Sequence, residues 1–254
     1  MRGTSEPLDR KDILGVAVAS LTADQAAVLL KRRLAERRFT RVSFLNAHNA
    51  NVAASDPRVA AMFSEFLVLP DGVGVNLAAR LLYGSPFPAN LNGTDFIPAL
   101  LRSARFPLKV ALLGARRENV ERAASRLAEI APQHSVEVIH DGFFDEREEA
   151  AILARLAALR PDVLLVAMGV PRQELWIGGK LRSGHCTMPI GVGALFDFLS
   201  GSIPRAPALL RVLRLEWLFR LALEPGRLWR RYLIGNPLFL WRVLRQRSEM
   251  TRRR

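Results

Sequence analysis

The stretch LKVALLGARRENVERAASRLAEIAPQHSVEVIHDG, residues 108–142, determines the predicted fold class. Residues 108–114 are almost entirely apolar, as in a strand that is buried on both faces. Residues 118–131 mix charged and apolar side chains with the period of an amphipathic helix, and residues 135–142 return to a strand pattern. A strand, a helix and a second strand in this order predict a parallel β-α-β unit.

The same alternation extends in both directions from this unit. Toward the C terminus, helices are predicted at 146–159, 171–181 and 194–201, and strands at 162–169 and 187–193. Toward the N terminus, strands are predicted at 13–20, 41–47 and 66–70, and helices at 23–36, 56–65 and 75–82. We therefore predict that residues 1–201 form one α/β domain with a doubly wound, mostly parallel, Rossmann-like sheet.

Residues 202–254 have a different composition and are predicted to form a basic, amphipathic helical appendage. They contain 13 Arg and 3 Glu, whereas residues 1–201 contain 24 Lys and Arg and 21 Asp and Glu. Most of the net charge of +13 therefore belongs to this segment, which indicates a local anionic partner. Pro225 and Pro237 are expected to divide the segment into three short helices.

Cysteine content and apolar runs restrict the class of protein further. Cys186 is the only cysteine, which excludes an internal disulfide and a zinc site built from cysteines. The N-terminal residues are polar and lack the apolar core of a signal peptide, and no apolar run approaches the ~18 residues of a membrane span. These features favour a cytoplasmic location, and the sequence is compatible with a homo-oligomer.

Glycines and polar side chains follow the predicted strands at the edge where such a sheet binds its ligands, outside the carboxyl ends. Asn46 lies at the end of one predicted strand, and Asp71 follows another in FLVLPDGVGVNLAARLLYG, residues 66–84. The glycines at the ends of the other predicted strands are Gly114, Gly142, Gly169 and Gly193. We predict that these residues form one binding edge.

Asp71 and Asn46 each allow a structural interpretation as well. Asp71 precedes a glycine, and an Asp-Gly turn is stabilised when the carboxylate bonds its own backbone. Asn46, like His48 and Asn49, lies where a polar side chain caps the next helix. A carboxylate at the carboxyl end of a strand is also well placed to act on a ligand. The residues alone leave both interpretations open.

The motif AMGVPRQELWI, residues 167–177, is more specific. Gly169 permits a tight exit from a strand, and Pro171 is tolerated in the first turn of a helix. Gln173 and Glu174 then occupy a helix N-terminal turn, where free N–H groups and the helix dipole suit a phosphate. The alternative interpretation makes Glu174 an acid at the helix start and Gln173 a solvated side chain.

Several common nucleotide motifs are absent from the sequence. The G-x-G pairs at Gly72 and Gly191 lack the third glycine of a dinucleotide fingerprint, which disfavours a nucleotide-dependent oxidoreductase. No G-x-x-x-x-G-K-[ST] loop is present. No D-x-D motif is present either, so the usual carboxylate pair that holds a diphosphate-bound metal is missing.

Eight blocks of sequence, in order, resemble the WecG/TagA/CpsF family of bacterial glycosyltransferases, glycosyltransferase family 26. The resemblance extends from about Val42 to Leu240. The blocks are PDGVGV, NGTDF, LLGARRENV, DGFFD, AMGVPRQELWI, GVGALFDFLSGSIPRAP, LEWLFRLALEPGRLWRRYL and NPLFL.

The resemblance implies a reaction and a location. Members of this family transfer a sugar from a UDP-sugar to a saccharide linked to undecaprenyl diphosphate, at the inner face of the bacterial plasma membrane. The anomeric configuration inverts, and neither a metal nor a cofactor is required. The products are envelope polymers or exopolysaccharides.

The resemblance also implies roles for individual residues. Asp71 matches the proposed general base, and Asn46 matches the asparagine of a catalytic Thr-x-Asn motif whose threonine position holds Phe44 here. Arg220, Arg227 and Arg230 match residues expected at the leaving diphosphate. The implied nucleotide-sugar site consists of Gly114, Gly142, Phe143, Gly169, Gln173, Gly193, Asp197, Arg205 and Arg231. At Phe143 the family's Gly-Tyr-Phe motif has lost its tyrosine hydroxyl.

One rival hypothesis is a nucleic-acid-binding α/β protein, since the sequence pI is about 11.3. The basic segment, however, mixes its arginines with tryptophan and leucine, and no nucleic-acid-binding module is recognisable. Short helices with arginine on one side and tryptophan or leucine on the other suit an interfacial position on an anionic membrane. We therefore expect a membrane surface as the anionic partner, and no nucleic acid.

Overall fold

The computed structural model describes residues 8–207, 210 and 216–252, except the side chains of Glu216 and Arg227. Eight strands form one sheet in the order β1-β2-β4-β3-β8-β7-β5-β6, in which β1 and β2 are antiparallel and all other neighbours are parallel. The strands are β1 (Arg10–Ile13), β2 (Val16–Ala19), β3 (Val42–Leu45), β4 (Leu67–Pro70), β5 (Lys109–Gly114), β6 (Ser135–His140), β7 (Val163–Ala167) and β8 (Met188–Gly191).

Helices cover both faces of this sheet. The helices are α1 (Ala23–Ala35), α2 (Ala47–Ser55), α3 (Pro57–Ser64), α4 (Val73–Tyr83), α5 (Gly93–Ser103), α6 (Arg117–Ile130), α7 (Glu146–Leu159), α8 (Arg172–Lys180), α9 (Leu195–Leu199), α10 (Glu216–Leu223), α11 (Pro225–Trp229) and α12 (Gly235–Arg252). One apolar core joins α1, α5, α6 and α9 to the sheet, and a second core joins α2, α3, α4, α7, α8 and α12 to the sheet. All residues of β3, β4, β7 and β8 are buried, as expected for strands covered on both faces. The predicted α/β fold class with a mostly parallel, Rossmann-like sheet is confirmed.

The single strand predicted at residues 13–20 is wrong, because this stretch contains the turn of a hairpin. Arg10 pairs with Ala19 and Ile13 pairs with Val16. The two turn residues, Leu14 and Gly15, have φ values of 54° and 85°. Two successive residues with positive φ are typical of the tight turns whose twist matches that of a β-hairpin. Gly15 is the sequence signal for this turn.

Helix α5 was missing from the sequence prediction. Its N-cap is Asn92, whose Oδ1 accepts a hydrogen bond of 2.9 Å from the backbone N–H of Asp95. Asn-Gly-Thr-Asp is therefore a helix start, and the helix buries Phe96 and Ile97 in the first core.

The prediction that Pro237 ends a helix is also wrong. Pro225 begins α11, but Pro237 lies within the first turn of α12. A π-helical turn, Arg230–Ile234, joins α11 to α12 without leaving helical dihedral angles. The proline ring would otherwise crowd the carbonyl four residues earlier, and a wider turn just before it relieves that contact.

The C-terminal helix packs directly on the α/β layer. Phe239 and Val243 are buried in the second core. Asn51 of α2 donates a hydrogen bond of 2.7 Å to the Gly235 carbonyl, and Arg242 donates to the Asn51 carbonyl at 2.8 Å. The boundary at residues 201 and 202 therefore separates two regions that share one core, and their division into two domains stays a prediction. No helix in the described ranges combines the length and apolar character needed to cross a membrane.

Candidate active site

Asp71 and Asn46 meet at the carboxyl edge of the sheet. Asp71 follows β4, and its backbone N–H donates a hydrogen bond of 2.8 Å to the Leu45 carbonyl of β3. The Asn46 Oδ1 accepts the N–H of Asn49 at 3.0 Å and so caps α2. This bond fixes the orientation of the amide, and Asn46 Nδ2 donates to Asp71 Oδ2 at 3.3 Å. Asn46 therefore caps a helix and also orients the carboxylate.

His48, two residues after Asn46, connects this pair to the C-terminal segment. Burial of the ring, followed by the positive charge of Arg231, lowers the pKa of His48 from 6.5 to about 4. The imidazole is thus neutral at physiological pH. Arg231 lies in the π-helical turn, and Gly235, the residue that follows this turn, accepts a hydrogen bond of 2.7 Å from Asn51 of α2.

Of the glycines of the predicted edge, Gly114 is the last residue of β5, and Gly142, Gly169 and Gly193 follow β6, β7 and β8. Gly114 has a φ of 123°, and a Cβ atom there would lie 2.4 Å from the Ala167 carbonyl oxygen, so no side chain fits. The Gly142 carbonyl accepts a hydrogen bond of 2.8 Å from Arg172 Nη1 at the start of α8. Phe143 follows and is 69% exposed. The exposed ring of Phe143 thus follows a segment in which the backbone at Gly142 lies close to Gly114 and Ala115, at the end of β5.

Gln173 and Glu174 lie beneath this edge and are not solvated, so the alternative interpretation of Gln173 is wrong. Only 2% of Gln173 and none of Glu174 is exposed. Gln173 Oε1 accepts the N–H of Gly193 at 3.1 Å, and its Nε2 donates to Glu174 Oε1 at 2.8 Å. The Ser43 hydroxyl of β3 donates to the same Glu174 oxygen at 2.9 Å. Gln173 therefore supports the loop after β8 from below.

The carboxylate of Glu174 is unusual because the residue is completely buried. Burial raises the pKa of Glu174, although the hydrogen bonds from Gln173 and Ser43 oppose the rise. Its Oε2 atom is buried and has no hydrogen-bond partner among the described residues. Ser43 was not predicted from the sequence as a site residue. A serine in an otherwise apolar strand that is covered by helices on both faces nevertheless implies a buried polar partner.

Asp197 lies in α9, which follows β8. Asn119 of α6 donates a hydrogen bond of 2.9 Å to Asp197 Oδ1, and the Ser202 hydroxyl donates to Asn119 Oδ1 at 2.7 Å. This chain of contacts fixes Asp197 near the loop that contains Gly193. Asn119 was missed because a polar residue on a charged helix gives no distinct signal.

The arginines expected at the diphosphate occupy different surroundings. Arg220 lies 5.3 Å from the ring centre of Phe198, so α10 reaches the helix that follows β8. The Arg220 Nε atom is buried and has no partner among the described residues. Arg230 stacks on Trp229 at 5.3 Å and is exposed. The side chain of Arg227 lies outside the described residues.

Arg205 is held by an acidic side chain. Its Nη1 lies 2.7 Å from Asp95 Oδ1, and its Nη2 donates to the Thr94 carbonyl at 3.1 Å. Both partners belong to the first turn of α5. Arg205 is thus tied to the NGTDF block, and contact with a nucleotide would require it to share or leave this ion pair.

The described residues also bear on metal binding. Within residues 8–207, 210 and 216–252, no three His, Cys, Asp or Glu side chains cluster in a way that could hold a metal ion. Cys186 is buried, and burial raises the pKa of its thiol to about 12. This thiol is therefore protonated at physiological pH and is neither a nucleophile nor a ligand.

A family model and two known proteins show what this chain is similar to. A family model described as "Glycosyl transferase WecG/TagA/CpsF family" matches residues 11–253. A Bacillus spizizenii protein is 32% identical over 195 residues, 76% of this chain and 74% of its own. A Staphylococcus aureus protein is 28% identical over 243 residues, 94% of each chain. Both are named N-acetylglucosaminyldiphosphoundecaprenol N-acetyl-beta-D-mannosaminyltransferase.

Proposed function

This chain belongs to the WecG/TagA/CpsF family of glycosyltransferases, and we propose that it moves a sugar from a UDP-sugar to an undecaprenyl-diphosphate-linked saccharide. The proposal for the acceptor is supported by the names of the relatives, which specify N-acetylglucosaminyl diphosphoundecaprenol. The observation that carries the proposal for this chain is the Asn46–Asp71 pair, a carboxylate oriented at the ligand-binding edge of the sheet.

Asp71 acts as the general base in a single displacement. Its carboxylate takes the proton from the acceptor hydroxyl, whose oxygen attacks the anomeric carbon of the donor sugar. The bond from that carbon to the diphosphate oxygen breaks at the same time, and UDP leaves with the bonding electrons. One displacement inverts the anomeric configuration, and one base is sufficient for it.

Arginines stabilise the leaving diphosphate in this mechanism. The charge of Arg231 lowers the pKa of His48, and Arg220 lies over the ring of Phe198 in α9, the helix that follows β8. These interactions support the proposal that two cations of the C-terminal segment reach the carboxyl edge. The Nε atom of Arg220, which is buried without a partner in the described part of the chain, is a donor that a phosphate oxygen would satisfy.

We propose that neither a metal nor a cofactor takes part. Cationic side chains can offset the charge that develops on the diphosphate, as a divalent metal does in other transferases. Transfer should therefore continue in excess EDTA. Loss of activity in EDTA that Mg²⁺ or Mn²⁺ restores would contradict the arginine mechanism.

The membrane is the proposed site of action. Exposed apolar side chains of α10 to α12 include Leu233, Ile234 and Trp241, each more than half exposed. These lie in the same segment as the arginines, which is the composition of an interfacial surface. The enzyme would thus work peripherally on the cytoplasmic face, where a lipid-linked acceptor is within reach.

The decisive experiment measures UDP release with a synthetic lipid-diphosphate-linked N-acetylglucosamine acceptor. A panel of UDP-sugars should begin with UDP-N-acetylmannosamine, the donor that the relatives' names suggest. We expect acceptor-dependent release with at least one UDP-sugar and an inverted linkage in the product. Release that does not depend on the acceptor, or no release with any UDP-sugar, would contradict the proposal.

A further inference from the structure

A cavity of about 230 Å³ lies at the amino ends of β3 and β4. Asn46 and Asp71 follow the carboxyl ends of the same two strands, which are four residues long, or ~13 Å. The cavity is therefore on the opposite edge of the sheet from the candidate active site. Its lining includes Arg10, Arg33, Arg38, Thr40, Arg41 and Glu65.

Arg33 is the unusual member of this lining. Only 8% of the residue is exposed, and its Nε atom is buried without a hydrogen-bond partner in the described part of the chain. Burial lowers the pKa of Arg33, and the charges of Arg38, Arg10 and Arg32 lower it further, whereas the charge of Glu36, which also pairs with Arg32, opposes the shift. A buried cation among other cations is unfavourable unless an anion joins it.

The one carboxylate of the lining is already engaged. Glu65 Oε2 lies 2.8 Å from Arg41 Nη1, and Arg41 Nη2 donates to the Leu181 carbonyl at 3.1 Å. Arg33 also lies in the last turn of α1, where a cation complements the helix dipole. That role is served equally by an exposed side chain such as Arg32, so it does not explain why Arg33 is buried.

We propose that this cavity is a second anion site, which binds a phosphoryl group through Arg33 together with Arg10 and Arg38. A guanidinium presents its N–H donors in a planar fork that matches the oxygens of a phosphate. A phosphate oxygen would satisfy Arg33 Nε, and its charge would relieve the repulsion among the three arginines. The phosphoryl group can come from a free phosphate or diphosphate, or from the headgroup of an anionic lipid. This site is additional to the sugar-transfer site and does not depend on the proposed reaction.

The test is phosphate-dependent thermal stabilisation of the full chain at constant ionic strength, with chloride replacing phosphate as the reference. A ligand that binds only the folded state raises the unfolding midpoint in proportion to its affinity. We expect inorganic phosphate and diphosphate to stabilise the wild-type protein. In Arg33→Met the affinity for phosphate should fall at least about tenfold, as for loss of hydrogen bonds to a charged group.

The controls separate this site from general charge effects and from misfolding. Without phosphate, Arg33→Met should be at least as stable as wild type, since it removes a buried cation whose Nε has no hydrogen-bond partner among the described residues. The double variant Arg10→Met/Arg38→Met changes two exposed residues and should also weaken phosphate binding. Arg126→Met, an exposed residue of α6, should leave it unchanged.

The outcomes decide the proposal and the source of the phosphoryl group. No phosphate-dependent stabilisation of wild type, or equal stabilisation of Arg33→Met, would overturn the site. An equal loss in Arg126→Met would also overturn it, because the effect would then follow net charge. If the site holds, sedimentation with phosphatidylglycerol vesicles identifies a lipid source when Arg33→Met sediments less than wild type. Equal sedimentation assigns the site to soluble phosphate.

Discussion

A single amide fixes the orientation of the proposed base. Asn46 uses its oxygen to cap α2 and its nitrogen to hold Asp71, so the helix cap offered by the sequence is present, and the role of Asn46 at a ligand stays a prediction. This explains why an asparagine suits the position better than an aspartate, which would also cap the helix. An ionised aspartate only accepts hydrogen bonds, so it has no donor for the Asp71 carboxylate.

The first prediction follows from this pair. Asp71→Asn should bind UDP with unchanged affinity and lose roughly 10²–10⁴-fold in kcat, because an amide cannot accept the hydroxyl proton. Turnover is measured by UDP release and binding by thermal stabilisation. Asp24→Asn, which changes an exposed acid in the first turn of α1, is the matched control and should turn over like wild type. Wild-type kcat in Asp71→Asn would remove Asp71 from the mechanism.

His48 gives a prediction for the pH dependence of stability. Its pKa of about 4 in the folded protein lies below the ordinary value of 6.5, so the unfolded chain binds the proton more readily. This group contributes stability that is present above pH 6.5 and is lost as the pH falls toward 4. In His48→Gln that loss should be absent, and urea unfolding between pH 7 and pH 4 measures it. Parallel stability curves for the two proteins would contradict the assignment.

At the residue scale, the sequence predicted some side chains and missed others for a clear reason. The position of Asp71 at the carboxyl edge follows from strand and turn patterns that are local. The burial of Gln173 and Glu174 could not be predicted, because it depends on Ser43, which is 131 residues from Glu174 in the chain. A long-range partner of this kind leaves no trace in local periodicity.

At the scale of elements, the strongly periodic central unit was the most predictable part. Strands β5 to β8 and helices α6 to α8 lie close to their predicted bounds. The errors occurred where short elements follow one another with little polar sequence between them, as in the hairpin at Leu14 and Gly15. The prediction that Pro237 ends a helix was wrong for another reason. The π-helical turn that accommodates this proline has no recognised sequence signature.

The packing of α12 supplies a prediction at this scale. Phe239 is 1% exposed and approaches Gly74, near the start of α4. Phe239→Ala should lower the free energy of unfolding by about 3–5 kcal/mol, since it opens a cavity in the second core. Leu244→Ala, on the same helix but 50% exposed, should change it by less than about 0.5 kcal/mol.

Urea unfolding of the two variants measures this difference. Equal, small effects would mean that α12 contributes little to the core. A large effect would also show why deletion of the C-terminal segment is a poor test of docking. Such a deletion would uncover the core position of Phe239 as well as remove the arginines.

For the whole molecule, charge and apolar exposure are concentrated in the same segment. Of the fourteen large apolar side chains that are exposed in the described chain, nine lie in residues 216–252. The ring centres of Trp217 and Tyr232 lie 5.8 Å apart, so α10 contacts the π-helical turn. A solvated basic tail would not need these apolar groups, and a folded segment that binds only nucleic acid would not expose them.

The last prediction tests this segment as a membrane-docking surface by point substitution. Each arginine near an anionic leaflet contributes about 1 kcal/mol, and buried apolar side chains add to this attraction. Wild-type protein should therefore sediment with phosphatidylglycerol vesicles at physiological salt. The variant Leu233→Ser/Ile234→Ser/Trp241→Ser removes three exposed apolar groups without changing any charge or core residue. It should sediment far less and turn over a vesicle-bound acceptor slowly, while its turnover of a short-chain, water-soluble acceptor stays near that of wild type.

Val28→Ser, at a position that is 62% exposed on α1, is the control and should sediment like wild type. Vesicle binding that survives the triple substitution would show that charge alone holds the protein at the membrane. Absence of binding by the wild-type protein would contradict the docking surface itself.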